Sequence, residues 1–185
     1  IGSGVALAVV VILSLLFVKW LFVLVVIGTM LVAVSEVIAA FAKNGVKVAR
    51  TPAYGATLVV PAVAYVWGPT ALIAAAGVAI LAAMVWRIRR GYEGYVRDVT
   101  ASIFTIAYLP FMAGFLMLSL AADNGAQRMV VFILLTISND IGGYAAGVLF
   151  GKHPIAPQIS PKKSWEGFAG SIVLQAVVGA LSWVF

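Results

Sequence analysis

Long apolar stretches alternate with short polar ones along the whole chain, and their lengths set its architecture. Each apolar stretch approaches or falls within the roughly 17–25 residues that cross a hydrocarbon core as a helix. The pattern predicts an all-α, polytopic integral membrane protein with about seven transmembrane segments. These are Gly2–Val18, Leu21–Ala42, Ala53–Trp67, Thr70–Trp86, Thr100–Ala121, Met129–Phe150 and an unfinished Phe168–Phe185. Lys19-Trp20 punctuates the first boundary, and Asn44-Gly45 and Gly68-Pro69 read as turns. If its segment is helical, Pro61 implies a kink, while Pro110 and Gly114 are bend candidates in the fifth span. Glu36 either meets water at a helix end or partners a loop Lys or Arg.

Composition agrees with this pattern. Apolar residues make up 64% of the 185 residues and mean hydropathy is +1.13, against roughly 45–50% apolar in ordinary globular domains. The net charge of +6 therefore describes membrane flanks and loops, and a nucleic-acid surface is excluded as a first reading. If the spans alternate, 43–52, 87–99 and 150–166 share one side, holding every Lys and Arg except Lys19 and Arg128. The positive-inside rule makes that side cytoplasmic, in a cell membrane. No cysteine is present, which excludes disulfides and thiolate chemistry. There is no P-loop, no GxGxxG in a strand-turn-helix setting and no His-rich cluster. Ile1 opens without a charged leader, so no signal peptide is read, and both ends fall inside apolar runs, as expected of a piece of a longer protein. A single transmembrane domain over 1–185 is expected, with a partial catalytic region at 136–167.

Chemistry concentrates near the end. In the run TISNDIGGYAAG, Thr136, Asp140 and Tyr144 recur every four residues and share a helix face. Gly143 and Gly147 beside that face admit a ligand or a neighbouring helix. A carboxylate about 15 Å inside a span is costly, so Asp140 faces a water-filled cavity or its helix ends early. One carboxylate suits Mg²⁺ when substrate phosphates complete the shell. In the following loop, Ser160-Pro161 reads as an N-cap and first helical residue, which would put Lys162 and Lys163 in the first turn as a phosphate site. Glu166 holds one lysine, or serves as a metal ligand or base; Trp165 marks the interface or stacks on a base. Lys152 and His153 lie in the same loop, where His153 either binds phosphate or has no chemical part. Phosphoryl or nucleotidyl transfer to a lipid fits this set, because such reactions need cations and positioning more than a protein nucleophile. An anion transporter or channel coupled through Asp140 and the basic loop is the alternative, and a noncatalytic membrane scaffold a third.

The stretch from Ser138 to Gly170 resembles the phosphatidate cytidylyltransferase (CDP-diacylglycerol synthase) family, in particular an actinobacterial, mycobacterial-like member. The resemblance rests on Asp140 with Gly143-Tyr144, then Phe150-Gly151-Lys152-His153, Ala156-Pro157 and Ser160-Pro161-Lys162-Lys163-Ser164-Trp165-Glu166-Gly167. It implies an enzyme of phospholipid synthesis that converts CTP and phosphatidate into CDP-diacylglycerol and pyrophosphate with Mg²⁺ or another divalent cation, as a homodimer in the membrane. Asp140 is then implied as metal ligand, with Lys162, Lys163 and Glu166 as its catalytic companions. Asn139, Tyr144, Lys152, His153, Ser160 and Ser164 are expected against the substrates. The family's downstream motif, with a Lys-Asp pair, a His-Gly-Gly element and further aspartates, does not lie within Ile1–Phe185. This stretch is therefore expected to be an incomplete catalyst by itself.

Overall fold

A lysine stands at each end of the first long helix, α1, Lys19–Lys43. Its buried residues, including Val23, Val26, Ile27, Val34 and Ile38, recur at helical spacing and form one stripe. The helix stops at Asn44-Gly45, where Gly45 takes φ 71°. The Gly45 N–H donates to Ala42 O and the Val46 N–H to Phe41 O, the paired bonds that close a helix on a left-handed glycine. The computed structural model describes residues 11, 13–15, 18–89 and 91–183. It divides into two units, Ile1–Ala126 and Gln127–Phe185.

In the first unit, α2 runs from Arg50 to Ile88 and is interrupted only at Gly68, with φ 79° and ψ −164°. Pro69 disfavours helical geometry in the residue before it, and glycine alone enters this region freely. A straight helix of 39 residues would hold its ends about 58 Å apart. Instead, a single carboxylate, that of Asp98, accepts from the Lys47 amide just before the run and from Arg87 at its end. The run therefore folds back at Gly68 into two antiparallel halves, each about 27–30 Å long and matched to a bilayer. These halves coincide with the third and fourth expected spans. The reversal lies at Gly68, whereas Pro61 stays within helical geometry and makes no break.

The unit closes with α3, Tyr95–Ile106, a π-helical turn at Ala107–Phe111, and α4, Met112–Ala121. Pro110 has no N–H for the ladder and sits in the widened turn. Gly114 is a packing position: a Cβ there would collide with Leu72. Val34, Ile38, Val48, Ala53 and Ala101 form a core cluster at the end where the basic stretches 43–52 and 87–99 meet. At the opposite end Lys19 donates to Ala122 O at 3.1 Å, and Trp20 packs edge-on against Tyr65. Glu36 is exposed on α1.

The second unit is built from all but the first two residues of α5, Gly125–Phe150, a two-stranded antiparallel hairpin of β1, Pro154–Ala156, and β2, Ser160–Ser164, and α6, Trp165–Ser182. Among the described residues, five helices are long and apolar enough to cross a membrane. The chain is an all-α polytopic membrane protein apart from this hairpin. The expected count of seven is not reached within these residues, since α2 holds two spans in one run and Gly2–Val18 lies largely outside them.

Two expectations are corrected here. Ser160-Pro161 does not begin a helix: it begins β2, and the helix starts at Trp165 with Ser164 as its cap, Ser164 Oγ accepting from the Gly167 N–H at 3.2 Å. Consequently Lys162 and Lys163 lie on the strand and not in a first helical turn. Nor does α5 end early or re-enter, because it is continuous through Asp140.

Candidate functional site

Small residues bring α5 and α6 into backbone contact. A Cβ at Gly142 would stand 2.6 Å from Gly170 O, one at Gly143 2.6 Å from Ser171 Oγ, and one at Gly167 2.9 Å from Gly143 O. Gly143 and Gly147 thus admit a neighbouring helix, and both also line the cavity beside it. Two polar contacts fix the rotation of the pair. Ser171 Oγ donates to Asn139 O at 2.8 Å, and Gln175 Nε2 donates to Leu135 O at 3.3 Å.

An open cavity of about 450 Å³ lies over this contact. Asn139, Asp140 and Tyr144 reach it from α5, Lys162, Lys163 and Ser164 from β2 and the cap, and Gly167, Phe168 and Ser171 from α6. Asp140 is exposed, as is Tyr144 at 75%, so the carboxylate meets the cavity as expected of an ion this far inside a helix. Asn139 Nδ2 donates to Asp140 Oδ1 at 3.3 Å, which leaves Asp140 Oδ2 and the side-chain oxygen Asn139 Oδ1 as available donors to a metal. Thr136 is on the same face, its hydroxyl donating to Phe132 O at 2.9 Å.

Four of the expected residues do not line the cavity. Lys152, His153 and Glu166 lie at the hairpin base, and Ser160 stands beside its turn, paired with Ala156. There Glu166 joins the hairpin to the helix. Its Oε2 accepts from the Lys152 and His153 amides at 3.1 and 3.3 Å, and its Oε1 meets His153 Nδ1 at 2.5 Å. Glu166 takes the backbone of Lys152, not its ammonium group. Trp165 N–H adds a bond to His153 O at 2.9 Å.

Ser171, Ile155 and Phe168 also line the cavity and were absent from the residues singled out by sequence. The signal for Ser171 is its place one turn beyond Gly167 in an otherwise apolar segment, where a hydroxyl must find a backbone acceptor. Among the described residues there is no group of three or more His, Asp or Glu side chains able to hold a metal. A hard cation held by one carboxylate, with the rest of its shell filled by ligand oxygens, is what this donor set would suit. With two ammonium groups against one carboxylate, the cavity favours a polyanion.

Comparison with known proteins agrees with these features. The chain is 30% identical over 201 residues to the phosphatidate cytidylyltransferase of Mycobacterium leprae, covering all of this chain and 64% of that protein. It is 35% identical over 188 residues to that of Mycobacterium bovis, covering 92% and 60%. A putative phosphatidate cytidylyltransferase of Schizosaccharomyces pombe is 43% identical over 58 residues, 31% of this chain and 13% of that protein. The chain thus spans about three-fifths of the length of these mycobacterial relatives. None of these three carries the name of a transporter or channel. No solved structure matches. The sequence profile of the cytidylyltransferase family matches residues 1–185 from end to end, and the chain belongs to that family.

Proposed function

We propose that the intact protein is a phosphatidate cytidylyltransferase, which joins CTP and phosphatidate to give CDP-diacylglycerol and pyrophosphate. The observation that carries this reading is the meeting of Asp140 with Lys162 and Lys163 in one open cavity on a membrane helix pair. A phosphatidate phosphate oxygen attacks the α-phosphorus of CTP. One P–O bond forms, the bond from the α-phosphorus to the β-phosphate oxygen breaks, and pyrophosphate leaves with the electron pair.

The chain's own residues do the positioning. Lys162 and Lys163 neutralise phosphate oxygens, Asn139, Tyr144 and Ser164 orient the nucleotide or headgroup, and Ser171 holds Asn139 in register. Asp140 would hold Mg²⁺, which supplies charge stabilisation when bound. Glu166 acts through the hairpin by fixing the segment before β1, with Lys152, His153 and Ser160 at its margin. Residues 1–185 supply part of a divided site. The intact protein works in the cell membrane with its basic loops in the cytoplasm, a reading supported by the shared basic end of the first unit, and as a homodimer, which only the resemblance implies.

The test is CDP-diacylglycerol formation from CTP and phosphatidate, with and without Mg²⁺, by the intact protein and its Asp140→Asn variant. Turnover should require the metal and fall by more than about 100-fold in the variant, with expression and thermal midpoint unchanged. Normal turnover by the variant would remove Asp140 from the site. Anion flux across vesicles without turnover would replace the synthase reading by transport.

A further inference from the structure

The first unit contains a second cavity, of about 430 Å³, that the proposed reaction does not use. It opens where α1 ends and α2 begins, and it is lined by Ile38 and Ala42 of α1, by Gly45 to Val48 of the connection, and by Arg50. Ile38 and Val48 are buried and make its apolar floor. Lys47 and Arg50 are exposed on its wall, and no acidic side chain lines it.

The connection is held from behind. Asp98 Oδ1 accepts from the Lys47 amide and Ser102 Oγ from the Ala49 amide, both at 2.9 Å, while Arg97 donates to Gly45 O at 2.8 Å. The backbone is thereby fixed. Among the described residues, the ammonium of Lys47 and the guanidinium of Arg50 have no hydrogen-bond or ion-pair partner in the protein. Asp98 is already committed to Arg87 and Arg97, so it does not neutralise them.

We propose that this cavity binds the phosphate headgroup of an anionic glycerophospholipid. The chemistry matches in three respects. Two adjacent cations face one phosphodiester charge. The apolar floor accepts the glycerol and the first methylenes. The walls are the ends of two membrane-crossing helices, which brings the cavity to the depth where lipid phosphates lie. A pre-fixed backbone keeps the ordering cost of binding low. The site is independent of the reaction proposed above.

Native mass spectrometry of the intact protein in detergent, titrated with phosphatidylglycerol or phosphatidylcholine, tests it. Phosphatidylglycerol should be retained in preference to phosphatidylcholine. Lys47→Gln combined with Arg50→Gln should weaken its binding by about tenfold or more. Ala42→Trp, which fills the cavity and keeps both cations, should do the same, while Arg89→Gln, outside the cavity, should change it less than about threefold. Retention unchanged in both cavity variants, or equal retention of the two lipids, would overturn the site. Displacement of the lipid by equimolar inorganic phosphate would overturn its assignment to a membrane lipid.

Discussion

Arg87 and Asp98 form a buried ion pair, with Nε 2.9 Å from Oδ2 and side chains only 4% and 1% exposed. The other two guanidinium nitrogens of Arg87 also donate, Nη1 to Gly91 O and Nη2 to Glu93 O. The pair therefore fixes the connection between α2 and α3 as well as the end of α2.

Removing one partner leaves a buried charge uncompensated, at a cost of about 3–5 kcal/mol. Asp98→Ala should lower stability by that order and free the Lys47 amide. Reversible unfolding in mixed micelles is the measurement. A double variant, Arg87→Met with Asp98→Leu, should recover part of the loss because no lone charge remains. A single variant as stable as the parent would show the pair to be idle.

Lys162 and Lys163 share the cavity with Asp140, and a charge-assisted bond to phosphate is worth about 1.5–3 kcal/mol. Lys162→Gln and Lys163→Gln should each lower kcat/KM for CTP by roughly tenfold or more, with a weaker salt dependence than the parent. Steady-state kinetics over a range of ionic strength decides this. Loss of activity with unchanged salt dependence would argue for a shape role instead.

A side chain at Gly170 has nowhere to go, since its Cβ would meet the Ala146 side chain and lie 2.7 Å from Gly142 O. Gly170→Val should force α5 and α6 apart at a cost of about 1–3 kcal/mol. A cysteine cross-link between Asn139 and Ser171 positions, efficient in the parent background, should become slow in the variant. Equal cross-linking rates would mean that the helices tolerate the added volume.

Glu166 accepts from two consecutive amides. In Glu166→Ala, hydrogen exchange at Lys152 and His153 should accelerate, whereas exchange within α6 beyond its first turn should not. Uniform acceleration through α6 would instead assign Glu166 to helix initiation.

Much of this architecture is legible in the sequence. Apolar length alone places α1, α5 and the two halves of α2 within a few residues, and turn chemistry locates Asn44-Gly45 and Gly68-Pro69. The hairpin is not legible, because Ser-Pro-Lys-Lys-Ser has neither β-branched residues nor alternation. Its base is tied by contacts that adjacent sequence does not reveal, from Glu166 and the Trp165 amide to Lys152 and His153. Ser160-Pro161 and Ser164 with Glu166 both carry helix-start chemistry, and pairing of β1 with β2 selects the second. Charge pattern likewise hides Arg87 and Asp98, since buried partners look in sequence like any charged loop. The residues Asn139, Asp140, Tyr144, Lys162, Lys163 and Ser164 could be gathered from the motifs, but the acceptor that gives Ser171 its part, Asn139 O, meets it only once two helices are in contact.

The reversal at Gly68 has a bearing on biogenesis. One non-helical residue links two crossings, so no polar segment has to be carried through the bilayer between them. Tyr65 O also lacks its ladder donor, because residue 69 is proline, and such a carbonyl seeks water or a headgroup. Trp67, 69% exposed beside it, suits the same level. The two crossings thus form one hairpin that is suited to entering the lipid together, with the reversal at Gly68 at the membrane surface opposite the Asp98 end.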